Sequence, residues 1–311
     1  MDELVVLFGG GGFLGRYVAQ ELLRSGARVR IAERDPLDAF FLKPLAALGQ
    51  AQSIRADITK PDSVERAVAG ADVVINLVGV LKGRFQDLHV TGAANVARGA
   101  AAAGVKRLVH ISAIGADPAA ESAYARTKGE GEQAVRAAFE GATIIRPSIL
   151  FGSEDHFINR FAGMIQSAPA VPIMRAGTKF QPVFVADVAK AIAEAALAPE
   201  AHGGAVFELG GPEVLTMGEL IRRTAAMIGA TPTFLELPDG LSGLIASFGF
   251  LPGAPITKDQ WRMLQHDNVA DPVAQGLQAL GVTPTPLGAV APSWLVRYRR
   301  LGRFGAERKA S

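Results

Sequence analysis

Hydrophobic positions follow two rhythms along the first half of the chain. Short, almost unbroken apolar runs cover residues 4–8, 28–32, 51–56, 72–78, 106–112 and 142–146, and these read as strands. Between them, residues 13–25, 37–48, 62–69, 85–103 and 122–139 carry apolar side chains at three- and four-residue spacing, which predicts amphipathic helices. A strand that is apolar at nearly every position must be covered on both faces, and strands alternating with helices are joined by crossovers. Such crossovers are right-handed, so the pattern predicts an α/β fold built on a doubly wound parallel sheet.

The rhythm loosens after about Pro147. Strand-like pieces at 183–185 and 205–209 mix with helices that carry start signals, such as Thr216 followed by Glu219, a spacing that suits a capping box. Prolines at 169, 172, 182, 212, 232, 238, 252 and 255 punctuate the region. The expected organisation is a sheet domain over residues 1–150 and a smaller, mostly helical lobe over 151–311. That lobe is expected to pack over the carboxyl edge of the sheet, with some of its segments returning to it.

Composition narrows the classes. In 311 residues, 49% are hydrophobic and 20% charged, enough to build a substantial core and too apolar for a disordered chain. There is no cysteine, which excludes disulfides, thiolate-bound metal centres and thiol redox chemistry. The five histidines, at 89, 110, 156, 202 and 266, show no metal-ligand spacing, so no metal is expected. Glu154-Asp155-His156 reads as a loop and helix cap rather than a catalytic cluster. A net charge of +2 is mild, and no aromatic interleaving accompanies it, so nucleic acid is not an expected partner. Met1-Asp2-Glu3 leads straight into an apolar run with no basic region before it, which predicts a cytoplasmic protein without a leader. The uncharged stretch 240–257 is broken by glycines and prolines and cannot span a bilayer as one helix. It is either a helix with an irregular loop or an apolar patch facing a membrane or a partner. The basic tail 297–311 has Arg297, Arg299, Arg300, Arg303, Arg308 and Lys309 against Glu307 alone. It reads as a solvated tail or as a contact for an acidic partner or anionic lipid. Trp294, just before it, anchors the last helix in the core or at an interface. No pattern sets an oligomeric state.

Chemistry concentrates at the ends of the predicted strands. Gly9-Gly10-Gly11-Gly12-Phe13-Leu14-Gly15 joins the first strand to the first helix, with glycines at 9, 12 and 15. Gly9 suits the turn, Gly12 lets a diphosphate approach the backbone, and Gly15 permits close helix–strand packing. Together with Gly11, Phe13 and Leu14, they present a helix N-terminus to an anion, the arrangement of a Rossmann-type dinucleotide site. At the end of the second strand, Glu33 would accept from a ribose 2′-hydroxyl and favour NAD(H). Arg34 beside it would bind a 2′-phosphate and favour NADP(H), so the coenzyme stays undecided. The two residues also suit a surface ion pair. Asp57 and Ile58 would line the adenine edge, and Leu77, Val78 and Gly79 would let the backbone approach a ribose. Ile111 and Ser112 end the fifth strand. Tyr124 and Lys128 follow on the next helix at a spacing that puts both on one face. An ammonium beside a phenol draws the phenol pKa toward neutrality, so Tyr124 would exchange a proton with a substrate, Lys128 would hold a nicotinamide ribose and Ser112 would orient a carbonyl.

These residues together resemble the short-chain dehydrogenase/reductase superfamily, in its extended and atypical, NAD-dependent epimerase/dehydratase-like branches. The likeness looks strongest to the nucleotide-binding accessory subunits of respiratory complex I and their bacterial relatives. It is carried by Ile145-Arg146-Pro147-Ser148-Ile149-Leu150-Phe151-Gly152 with Glu154-Asp155, by Phe157-Ile158-Asn159-Arg160-Phe161, by Gln181-Pro182-Val183-Phe184-Val185 with Asp187-Val188, by Pro255-Ile256-Thr257-Lys258-Asp259, and by Leu280-Gly281-Val282 with Thr285-Pro286-Leu287. The resemblance implies a tightly held NADP(H) that stabilises the protein, with Gly9, Gly12, Gly15 and Arg34 at nucleotide-binding positions and Pro147 and Ser148 beside the nicotinamide. Glu33 departs from it. The implied partners are subunits of complex I or the membrane surface, with a peripheral place on the cytoplasmic face of the inner membrane. Retention of Ser112, Tyr124 and Lys128 keeps open a free-standing oxidoreductase or a nucleotide-sugar epimerase/dehydratase.

Overall fold

A computed structural model describes residues 3–198, 202–249, 256–300 and 302. Pro255 of the sequence signature, and Arg303, Glu307, Arg308 and Lys309 of the tail, lie outside the described residues. The chain divides into two compact units, one of residues 1–147, 185–209 and 270–283, the other of 148–184, 210–269 and 284–311.

The first unit is a seven-stranded sheet. Its strands are β1 (Leu4–Phe8), β2 (Arg28–Glu33), β3 (Ala51–Arg55), β4 (Val73–Asn76), β5 (Arg107–Ile111), β6 (Thr143–Pro147) and, last in the chain, Val206–Leu209. They lie in the order β3-β2-β1-β4-β5-β6 and then Val206–Leu209, every pair parallel. The order in which successive strands are added to the sheet reverses between β1 and β4, and a crevice opens beyond the carboxyl ends at such a point. Burial explains why β1 is apolar throughout. Val6 and Phe8 join the cluster formed with Val64 and Ala67 of α2 (Pro61–Val68), Val96 and Ala97 of α3 (Ala93–Ala102), and Val135 of α4 (Ala123–Ala138), while Val5 and Leu7 are equally buried. α1 (Phe13–Arg24) packs against the helix Val185–Leu197.

Two helices differ from the sequence expectation. Residues 37–48 do not form an α-helix; Pro36–Leu45 is a 3₁₀ helix, started by the Asp35 side chain accepting from the Leu37 N–H and interrupted by Pro44, which has no N–H to give. The helix expected over 85–103 begins as a π-helix, Gln86–Gly92, and becomes α-helical only at α3.

The second unit has its own core. Phe151, Ile158, Ala162, Leu220, Ile221 and Leu295 pack together around the parallel pair Ala170–Met174 and Thr233–Leu237. Thr216 and Glu219 form the expected capping box at the start of Met217–Ile228. Trp294 is buried and stacks on Phe184 at 6.4 Å, so it is a core residue. The tail is not simply solvated where it is described: Arg297 donates to the Trp294 carbonyl and Arg299 to the Met227 carbonyl, closing helix ends. Within the uncharged stretch, the helix Asp239–Ser247 buries Ser242 and Ala246 and exposes Leu241 and Leu244. Among the described residues no helix is long and apolar enough to cross a membrane.

Candidate functional site

The glycine loop is built by contacts that only glycine permits. Gly9 turns the chain at φ +85°, and a Cβ there would lie 3.3 Å from the Val78 nitrogen, so the loop lies against the end of β4. A Cβ on Gly15 would stand 2.1 Å from the Gly9 carbonyl, which shows how tightly the start of α1 is pressed on the turn. Gly12 caps α1 without a side chain, its N–H donating to the Gly9 carbonyl and its carbonyl accepting from the Arg16 N–H. No acidic residue occupies the first helical turn, so the N–H groups of Phe13, Leu14 and Gly15 face outward from the helix start without an intrahelical acceptor. Phe13 and Leu14 are half-buried around this opening.

Gly11 has a task that its place in the sequence did not suggest. Its N–H donates to Glu33 Oε1 at 2.5 Å, and a Cβ there would meet the Asp38 carbonyl at 2.9 Å. Glu33 therefore turns into the loop. Among the described residues it forms no ion pair with Arg34, which is exposed. Burial raises the Glu33 carboxyl above its ordinary range, against the Gly11 N–H and the Arg34 charge, which lower it.

At the adenine edge the fold claims both predicted side chains. Asp57 accepts from the N–H and the hydroxyl of Thr59. Burial opposes ionisation of Asp57, but these hydrogen bonds together outweigh it and hold the carboxyl below the usual range. Ile58 is buried beneath Gly92, where a Cβ would come within 2.5 Å of its Cδ1. Beyond β4, Leu77 donates to the Phe8 carbonyl, Val78 donates to the Asn76 side chain, and Gly79 is exposed beside Lys128.

Lys128 donates to the Ile111 carbonyl at 3.1 Å and is pushed down to about 8 by burial, with Glu132 opposing. One turn earlier on α4, Tyr124 leans its ring on Phe85 and His89, at centroid distances of 6.1 and 5.5 Å. Its phenol is pushed up to about 12 by burial, opposite to the shift expected from a neighbouring ammonium. The ammonium is committed to a β5 carbonyl, and desolvation of the phenol prevails. Ser112 donates its backbone N–H to the Ile145 carbonyl, while its Oγ is buried with no partner among the described residues. Pro147, at the end of β6, accepts from the Ile114 N–H. Ser148, the first residue of the other unit, spends its hydroxyl on Asn268, 2.8 Å from Oδ1. In that unit Asp155 accepts from the N–H groups of Gly152, Phe157 and Asn159, so the Glu154-Asp155-His156 segment is a capped turn.

Residues the sequence reading passed over complete the floor. His89 and His110 are buried, and burial foremost, then the Lys128 charge, pushes each down to about 3. His110 Nδ1 lies 3.3 Å from the Asn76 amide, and among the described residues its buried Nε2 has no partner. Weighing histidines only as metal ligands hid them; His110 had a signal in its place near the end of β5, whereas His89, inside the π-helix, had none. Among the described residues no three His, Asp or Glu side chains are grouped to hold a metal ion.

Comparison with known proteins bears on the family and the fold. The NAD dependent epimerase/dehydratase family matches residues 5–210. NADH dehydrogenase (ubiquinone) 1 alpha subcomplex subunit 9, mitochondrial, of Mus musculus is 37% identical over 305 residues, covering 95% of this chain and 80% of that protein. The 40 kDa subunit of mitochondrial NADH-ubiquinone oxidoreductase from Neurospora crassa is 33% identical over 301 residues, 94% of this chain and 79% of that one. Among solved structures, an NADPH-dependent quinone oxidoreductase of Escherichia coli complexed with NADPH superposes with a TM-score of 0.77 at 22% identity, over 94% of this chain and 99% of that one, a likeness of fold. The chain belongs to the NAD dependent epimerase/dehydratase family and, within it, to the group of these respiratory NADH dehydrogenase subunits.

Proposed function

We propose that the protein holds a nicotinamide dinucleotide for structural or assembly purposes in a membrane NADH:quinone oxidoreductase of the complex I type. The observation that carries this reading is the extent of the likeness to respiratory subunits, 95% of the chain at 37% identity, well beyond the nucleotide-binding half. The residues present fit such a coenzyme. The outward-facing amides at the start of α1 suit a diphosphate. The Glu33 carboxylate, already engaged with the Gly11 N–H, suits a ribose hydroxyl and repels a 2′-phosphate, which supports NAD(H) over NADP(H). The orphaned Ser112 Oγ and the exposed Gly79 beside Lys128 suit the nicotinamide end. A bound coenzyme supplies hydride chemistry at that end. The proposed location is peripheral, on the cytoplasmic face of an inner membrane.

Native mass spectrometry of freshly purified protein, paired with membrane fractionation and pull-down, tests the proposal. The expected outcome is a dinucleotide retained through purification, its mass matching NAD(H), with respiratory subunits recovered alongside. A free protein that binds neither coenzyme overturns it. A second reading, a free-standing oxidoreductase, is favoured by Lys128 bonding the Ile111 carbonyl, next in the chain to Ser112, one turn along α4 from Tyr124. Turnover abolished by Tyr124→Phe would support that reading.

A further inference from the structure

We propose that His89 is a positioning residue that ties the loop after β4 to α4, and so sets the spacing between Gly79 and the Tyr124/Lys128 pair. The inference rests on the dinucleotide reading above.

Hydrogen-bond donors fix the state of the ring. The Val80 N–H can only donate, and it points at His89 Nε2 from 3.0 Å, so that nitrogen is bare. The ring proton therefore sits on Nδ1, which lies 3.0 Å from Thr127 Oγ1 and donates to it. Thr127 in turn donates its hydroxyl to the Ala123 carbonyl at 2.7 Å, leaving a lone pair for the imidazole. A single neutral side chain thus bridges the loop beyond β4 and the middle of α4, with no free polar atom left on the ring. Burial keeps it neutral at every physiological pH.

The surroundings make the bridge rigid. Phe85 stacks on the imidazole at 5.4 Å and 23°, and the Tyr124 ring meets it edge-on at 89°. α4 comes so close to the π-helix that a Cβ at Gly131 would stand 2.1 Å from the His89 carbonyl. A Cβ at Gly79 would lie 3.1 Å from Lys128 Nζ and 3.9 Å from His89 Nε2, so the loop glycine, the lysine and the histidine converge on one spot. The π-helical turn bears on this as well, since its extra residue re-aims side chains and such turns recur where geometry serves a ligand.

Two variants of the full chain test the role. His89→Leu removes the acceptor for Val80. His89→Gln keeps one, because a glutamine Oε1 reaches about where Nε2 sits. Hydrogen exchange of the peptide containing Val80 and calorimetric affinity for NADH and NADPH are the readouts, with thermal melting to register purely structural damage. With His89→Leu, the Val80 amide is expected to exchange about tenfold faster and the better-bound coenzyme to bind about tenfold more weakly, with His89→Gln restoring most of both. A folded His89→Leu protein that binds coenzyme as the wild type does overturns the proposal, because a side chain that only fills space would shift melting alone. Should His89→Leu fail to fold, Thr127→Val cuts the other end of the bridge and is expected to loosen coenzyme binding in the same direction; unchanged affinity there also overturns it. A wild-type chain that binds neither coenzyme defeats the dinucleotide reading instead, and Val80 exchange still reports whether the tether exists.

Discussion

Gly12 and Gly15 lie one helical turn apart, yet glycine is required at each for a different reason. At Gly15 an added methyl would collide with the Gly9 carbonyl at 2.1 Å, so Gly15→Ala must distort the loop and is expected to lower the melting temperature and abolish coenzyme binding together. At Gly12 the nearest atom to an added Cβ is 3.3 Å away and φ is an ordinary −73°. Gly12→Val is therefore expected to fold with a melting temperature near that of the coenzyme-free wild type while losing coenzyme, because the branched side chain fills the space over the free amides. Thermal melts and calorimetry on the two variants separate the cases. Spacing alone made these three glycines readable in the sequence, since turn and helix start are local. The partnership of Gly11 with Glu33 spans 22 residues and left no local trace. It also supplies a prediction. Glu33→Gln keeps an acceptor for the Gly11 N–H and removes the charge, so the ratio of NADP⁺ to NAD⁺ dissociation constants is expected to fall about tenfold, roughly 1.4 kcal/mol of relieved repulsion. A ratio that does not move takes Glu33 out of the site.

Among the elements, strands were more readable than helices, for a physical reason. A strand buried on both faces must be largely apolar; β1 declares itself that way throughout, and β4 does so over Val73, Val74 and Ile75. A helical spacing of apolar residues says only that one stripe is apolar, not that anything covers it. In the segment after β2, Leu37, Phe41 and Leu45 recur at such a spacing and are 70%, 40% and 49% exposed. Only Ala39 and Leu42 of the segment are buried, and cations cover its exposed rings, Lys43 over Phe40 and Arg16 over Phe41. The Tyr124/Lys128 pair shows the same division. Its place on α4 was plain from spacing, but the direction of the tyrosine shift depends on desolvation and on the Ile111 carbonyl that holds the lysine, and both of those are tertiary.

For the molecule as a whole, the buried histidines make stability depend on acidity. His89 and His110 protonate near pH 3 in the folded chain and near 6.5 when unfolded. Below pH 6.5 the unfolded chain therefore takes up protons that the folded one refuses, and stability falls as pH drops toward 3. Each histidine contributes about 2 kcal/mol of loss by pH 5. Tyr124 acts at the other end: above pH 10 the unfolded phenol ionises while the folded one holds its proton to about 12, so stability falls again as pH rises through that window. Urea midpoints at pH 7 and pH 5 check the acid limb, and His110→Gln, which cannot titrate, is expected to show a smaller drop between them.

The strand Val206–Leu209 and the helix Val185–Leu197 belong to the sheet unit although they follow a long excursion through the other. A gene cut after codon 150 would encode a sheet with a bare edge beside β6 and an α1 stripped of its neighbour, so neither half is a portable cassette. Recombination that swaps one half for a homologue's must carry three separate pieces of coding sequence at once. A single crossover therefore cannot exchange either unit whole.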